Sequence, residues 1–172
     1  MSDMKAPYAR AMTLAALCGS RIALGPAFLE VSRRQNAGAR VAAAIGEMIL
    51  DKLEVFPVRY KPVLLVPHTL AGAWVARESL KEDGIDDPAG ALAGAVVAAG
   101  VASVLPLVRI AVSKGLGVPD PILGVAEDYV FLRLGAEATG VPMERLPEIA
   151  KEAVGDVGER VLPSAREFAM AS

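Results

Sequence analysis

From Pro88 to Val108 the chain runs twenty-one residues, PAGALAGAVVAAGVASVLPLV, without one ionisable side chain. A helix rises about 1.5 Å per residue, so this run is roughly as long as a bilayer's hydrocarbon core is thick, about 30 Å. A helix in a soluble domain keeps a polar face toward water and rarely carries so long an uncharged stretch. The run therefore predicts a membrane span.

Composition pulls two ways until position is considered. Mean hydropathy is +0.42, yet 22% of residues are charged, the share of an ordinary soluble protein. The apolar residues gather in blocks at 11–20, 22–29, 41–46, 62–76, 88–108 and 121–126, and the charges gather at the block edges. That segregation fits several short spans joined by polar turns. Aromatic residues make up only 5% and Trp74 is the single tryptophan, so the interfacial aromatic belt is thin.

Helix punctuation is clearest at Asp87-Pro88 and Asp120-Pro121. Aspartate accepts hydrogen bonds from orphan N–H groups, and proline at the first helical position gives up a donor that has no partner there. Helices are predicted to start at about 88 and 121, the first reaching about 113 with a bend at Pro106 and ending before the Gly115–Pro119 break. Earlier helices fit about 8–32, 38–54 and 62–80. No alternation of period two competes with them, so the body is all-α.

Within the long helix, Gly90 and Gly94 form a GxxxG continued by Ala91, Ala95 and Ala99, and Gly72 with Ala76 repeats the device in the preceding helix. Small residues on one stripe let backbones approach closely, either inside a tight helical core or along a self-association seam. Beyond Gly140 the pattern becomes amphipathic: Leu146, Ile149, Ala150, Ala153, Val154 and Val157 oppose Glu144, Arg145, Glu148, Lys151, Glu152 and Asp156. The mixed, slightly acidic polar face is unlike a membrane-surface helix, and packing on the chain's own aqueous face or on a neighbouring subunit is expected. Two regions result: a membrane helical domain, 1–140, and an amphipathic tail, 141–172.

Arg21 falls inside the first predicted helix, where a lone cation costs about 2.5–3.5 kcal/mol on insertion scales. It needs an anion. Glu47 and Asp51 are four residues apart on one helical face, and Glu127 with Asp128 lies nearly two turns past Pro121. A polar cluster of Arg21, Glu47, Asp51, Glu127 and Asp128 is expected between helices, with Lys52 and Arg59 at its mouth. It serves either as an ion or substrate path or as a set of paired charges pinning the helices.

Other chemistry finds no support in the residues. One cysteine, Cys18, and one histidine, His68, build neither a disulfide nor a zinc site, and no nucleophile motif surrounds them. GxxxxGK[ST] and GxGxxG are missing. Net charge is −2 with no basic cluster, which argues against nucleic acid. The basic start and apolar stretch of residues 1–20 suggest a signal peptide only until the apolar pattern resumes after Arg21. Neither catalysis, a cofactor nor a metal is expected.

A set of short segments stands out in order: Gly19-Ser20-Arg21, the GEMILDKL run from Gly46 to Leu53, Pro57-Val58-Arg59, Leu70–Ala73, Gly90–Ala95, and the LGVPDP run from Leu116 to Pro121 followed by Glu127-Asp128. Taken together they resemble a bacterial family of small multi-pass membrane proteins, the domain of unknown function 4126 family. The resemblance covers about residues 8–135 and implies an integral membrane protein, with no activity to carry over. Arg133 and Glu137 depart from the family's more apolar final helix, and the tail after 140 has no counterpart.

The expectation is a polytopic transmembrane helical bundle with a C-terminal amphipathic segment, in a bacterial inner membrane. Its partners are the lipid bilayer and either a second copy or a membrane partner subunit. Its role is that of a channel- or transporter-like bundle with a buried polar cluster. The alternative is a non-catalytic accessory or scaffold subunit packing through small-residue seams, and a further rival is a soluble alanine-rich helical protein.

Overall fold

A computed structural model describes residues 5–33, 37–52 and 62–161, apart from the side chains at 51, 52, 62–64, 160 and 161. The described chain is all-helical: α1 (Lys5–Ser20), α2 (Leu24–Ser32), α3 (Gly38–Lys52), α4 (Pro62–Glu82), α5 (Pro88–Leu116), α6 (Asp120–Thr139), a 3-10 turn (Met143–Arg145) and α7 (Leu146–Val161).

α1 is the hub. Its residues Ala11, Leu14, Ala15, Leu17 and Cys18 are completely buried, and α2, α4, α5 and α6 all pack on it. Leu14, Leu17, Leu29 and Val75 form the centre of the core, with Phe28 and Phe131 at its α2–α6 side. α7 packs its Ala153 side on α3, so the amphipathic tail meets its own chain there.

The single helix expected over 8–32 is broken after Ser20. Gly25 lies so close to α1 that a Cβ there would overlap the Cys18 sulfur and stand 2.5 Å from the Leu14 carbonyl oxygen. α2 therefore turns back against α1, with Leu24 N–H donating to the Arg21 carbonyl at 3.1 Å. Arg21 consequently sits at a helix break and not within a continuous helix.

Of the two predicted aspartate caps, one forms. Asp87 Oδ1 accepts the Ala89 N–H at 2.9 Å, while its Oδ2 accepts the Tyr8 hydroxyl proton at 2.7 Å. At α6 the cap position falls to Pro119, and Asp120 turns away to bind Arg109. Gly117 and Gly140 end α5 and α6 with φ of 66° and 67°, a left-handed conformation that a side chain makes unfavourable.

The Tyr8 hydrogen bond, followed by the Ala89 N–H, holds the Asp87 carboxyl below the usual aspartate range. A carboxyl depressed on folding stabilises the fold above its unfolded value, 3.8, and that contribution is lost as pH falls through the folded value. Asp87→Asn is thus expected to lower the melting temperature more at neutral pH than at about pH 3. Thermal melts of both proteins across that range check it.

Among the described residues only α5 is long and apolar enough to cross a hydrocarbon core. The expected set of several full spans narrows to this one for two reasons. With 16, 9 and 15 residues, α1, α2 and α3 rise less than about 25 Å each. α4 and α6 have the length, but α4 ends in Arg77, Glu78, Lys81 and Glu82, and α6 carries Asp120, Glu127, Asp128, Arg133 and Glu137.

Burial does not follow apolarity helix by helix. The most apolar window of α5 is only 11% buried, whereas the less apolar α1 fills the centre. Leu92 and Val96 are 70% and 71% exposed, and Val104, Leu107 and Val108 continue their face. Val66, Leu70 and Trp74 on α4 and Ile122, Val125 and Tyr129 on α6 are exposed as well. A soluble monomer rarely leaves so much apolar surface open.

Candidate polar cluster

The cluster is assembled where the α1–α2 break meets the first half of α6. Arg21 is 3% exposed; its Nη2 donates to Asp128 Oδ1 at 2.9 Å and its Nη1 lies 3.5 Å from Glu127 Oε1. Nη1 also donates to the Ser20 carbonyl at 3.0 Å. Successive residues on a helix point about 100° apart, yet the two prongs of one guanidinium reach both acids. Ser20 Oγ adds a hydrogen bond to Glu127 Oε1 at 3.3 Å.

A second arginine completes the arrangement. Arg109, near the C-terminal end of α5, binds Asp120 in a fork, Nε to Oδ1 and Nη2 to Oδ2, both at 2.7 Å. Its Nη1 stands 3.9 Å from Glu127 Oε2. Gly124 makes room: a Cβ there would lie 2.9 Å from the Arg109 Nη2. The chain of charges therefore runs Asp128, Arg21, Glu127, Arg109, Asp120, alternating in sign.

Its depth follows from the helix register. Tyr8 meets Asp87 and Gly19 abuts the Ala98 carbonyl, so α1 and α5 run parallel with residues 79 apart side by side. Arg21 is then level with about residue 100, some 18 Å along α5 from Pro88 and about 13 Å short of Arg109. The Arg21 pair thus lies near the middle of the uncharged stretch. At that depth an unpaired guanidinium would be expensive, which is why both acids close on it.

The structure does not bring every expected residue to this point. Glu47 is half-buried beside the break, where its Oε2 accepts the Ala23 N–H at 2.9 Å, a donor freed by the interruption between α1 and α2. No cation among the described residues pairs with it. Asp51 is in the last turn of α3; its side chain, that of Lys52, and all of Arg59 lie outside the described residues. His68 hydrogen-bonds through Nδ1 to the Cys18 carbonyl at 2.6 Å, a contact that ties α4 to α1.

The glycines predicted for helix packing all lie on one intrachain seam. A Cβ on Gly72 would come within 2.8 Å of the Gly94 carbonyl oxygen, and a Cβ on Gly94 within 2.6 Å of the Gly72 carbonyl oxygen. Gly90 abuts Leu80, and Ala76 and Ala98 extend the close approach of α4 to α5. Gly19 of α1 joins from the side, 2.6 Å from the Ala98 carbonyl oxygen in the same sense.

Sequence reasoning did not place Arg109, Ser20, Gly19 or Gly124 in these arrangements. For Arg109 a signal existed: it is the first charge after the uncharged run, and Asp120 follows across a tight turn. The two glycines carry no such signal, because a position that needs no side chain is recognised only once the opposing atoms are in place.

As an arrangement of charge, the buried part is neutral. Arg21 and Arg109 offset Glu127 and Asp128, while Asp120, 57% exposed at the rim, meets solvent. Such a set fixes α1, α5 and α6 relative to one another. Comparison of the chain with protein-family models, with curated proteins and with solved structures found no match.

Proposed function

We propose that this chain is a membrane-anchored helical protein acting as a non-catalytic accessory or scaffold subunit. α5 is its span, and the Arg21 cluster is a structural strut. The observation that carries the proposal is the uncharged, outward-facing side of α5, from Leu92 to Val108, on a helix of 29 residues. Lipid solvates that face without the penalty water imposes. The strut reading rests on charge balance: each buried acid already faces a guanidinium, so neither is left to bind a transported cation.

The polytopic form of this proposal immerses α4 and α6 beside α5. Their exposed apolar residues Val66, Leu70, Ile122 and Val125 support it. A bacterial inner membrane, a second copy or partner subunit, and membership of the domain of unknown function 4126 family belong to the same proposal. The family resemblance is supported by the LGVPDP segment at the α5–α6 turn and Glu127-Asp128 in the cluster.

Glu47 favours a second reading, a channel- or transporter-like bundle, because it is a half-buried carboxylate without a cation among the described residues. Carbonate washing, detergent extraction and proteoliposome assays separate the alternatives. The scaffold proposal expects release by detergent only, one stoichiometric partner on purification, and no ion flux. Release by carbonate overturns the membrane span. Flux that is lost in Glu47→Gln overturns the scaffold role in favour of the second reading.

A further inference from the structure

An apolar void of about 80 Å³ lies between α2, α3, α6 and α7. Phe28, Val41, Ala44, Met48, Ile149 and Ala150 are among its walls, and every residue lining it is apolar. Close-packed interiors contain few voids larger than a water molecule, and a void with no polar wall stays dry but accepts an apolar guest. The void adjoins a polar cleft through the shared walls Val31, Val41 and Ile149.

That cleft carries charge of both signs. Arg145 stands at the 3-10 turn, with Glu152 and Asp156 two and three turns further along α7. Among the described residues none of these three has an ion-pair partner. The charged cleft formed by Arg10, Arg33, Glu78 and Glu82 differs, since its cations and acids are already paired with one another. An apolar void opening onto exposed charges of both signs suits an amphiphile with a zwitterionic head. Its phosphate would meet the arginine and its ammonium the carboxylates.

We propose that the α3–α7 cleft binds one phospholipid from the bilayer, seating part of an acyl chain in the void and a zwitterionic phosphate–ammonium head against Arg145, Glu152 and Asp156. An anionic head lacks the group that answers the two carboxylates. The proposal draws its ligand from the membrane reading, but its test is carried out in micelles and fails or succeeds independently of fractionation.

The full chain in a nonionic detergent is titrated with lysophosphatidylcholine spin-labelled near the end of its chain. The immobilised spectral component should saturate at one label per chain. Ala44→Leu and Ala150→Leu, which fill the void, should each weaken binding at least about tenfold without lowering the melting temperature. A fatty acid with the same label, lacking the ammonium group, should bind about tenfold more weakly to the unaltered protein. Unchanged affinity in both leucine variants overturns the proposal, and so does equal binding of the fatty acid. Should both variants unfold, the head-group comparison on the unaltered protein decides.

Discussion

Replacing Arg21 by alanine is expected to destabilise the fold by about 3–5 kcal/mol, the range for breaking a buried ion pair from one side. The loss exceeds the value of the interaction itself, because Asp128 and Glu127 remain near the centre of the molecule with one guanidinium removed. Asp128, 10% exposed on its side chain, loses its 2.9 Å partner, while Glu127 keeps the Ser20 hydroxyl and the looser contact with Arg109. A combined Arg21→Met, Glu127→Gln, Asp128→Asn variant should recover most of the loss, since it removes the charges together. Thermal or denaturant unfolding of the purified protein measures both. An Arg21→Ala protein with unaltered stability would show that the cluster is no strut.

The second large effect belongs to the α4–α5 seam. Gly94→Leu forces a side chain against the Gly72 carbonyl oxygen and the Ala76 methyl, and helix backbone cannot yield as a flexible side chain can. Overpacking of this kind costs about 1–3 kcal/mol where neighbours can adjust, and the upper end or beyond is expected here. The matched control is Gly100→Leu, six residues on in the same helix, where a Cβ meets nothing within 4 Å. It should fold as the parent does. The pair separates tight packing from helix propensity, because both substitutions replace glycine by a better helix former. Equal stability in the two variants would remove the seam from the account of the fold.

How the small residues are used was only half legible. GxxxG states that one face of a helix is flat; it does not name what comes against it. Gly72 and Gly94 meet within one chain, so here the motif joins consecutive helices. The break between α1 and α2 was partly legible. Residues 8–32 contain Gly19-Ser20 and the Gly25-Pro26 pair, both local helix breakers, and the close fit of Gly25 over Leu14 and Cys18 shows how the chain turns back there.

The polar cluster divides in the same way. Arg21 demanded an acid wherever the chain supplied one, and the scarcity of acids in the apolar blocks narrowed the choice to four. Choosing among them required the register of α6 against α1, which brings Glu127 and Asp128 to Arg21 and leaves Glu47 to serve a backbone N–H. Arg109 entered for a similar reason: the turn at Gly117 folds α6 back until Asp120 is within reach.

The sequence by itself determined the all-helical class, the long uncharged helix and the start of that helix at Asp87, because charge spacing, proline and local capping act over a few neighbouring residues. Tertiary structure decided which apolar helix is covered and which is bare. α1 became the centre and α5 the exterior, since burial depends on contacts between residues some 80 positions apart, and no local pattern encodes that distance.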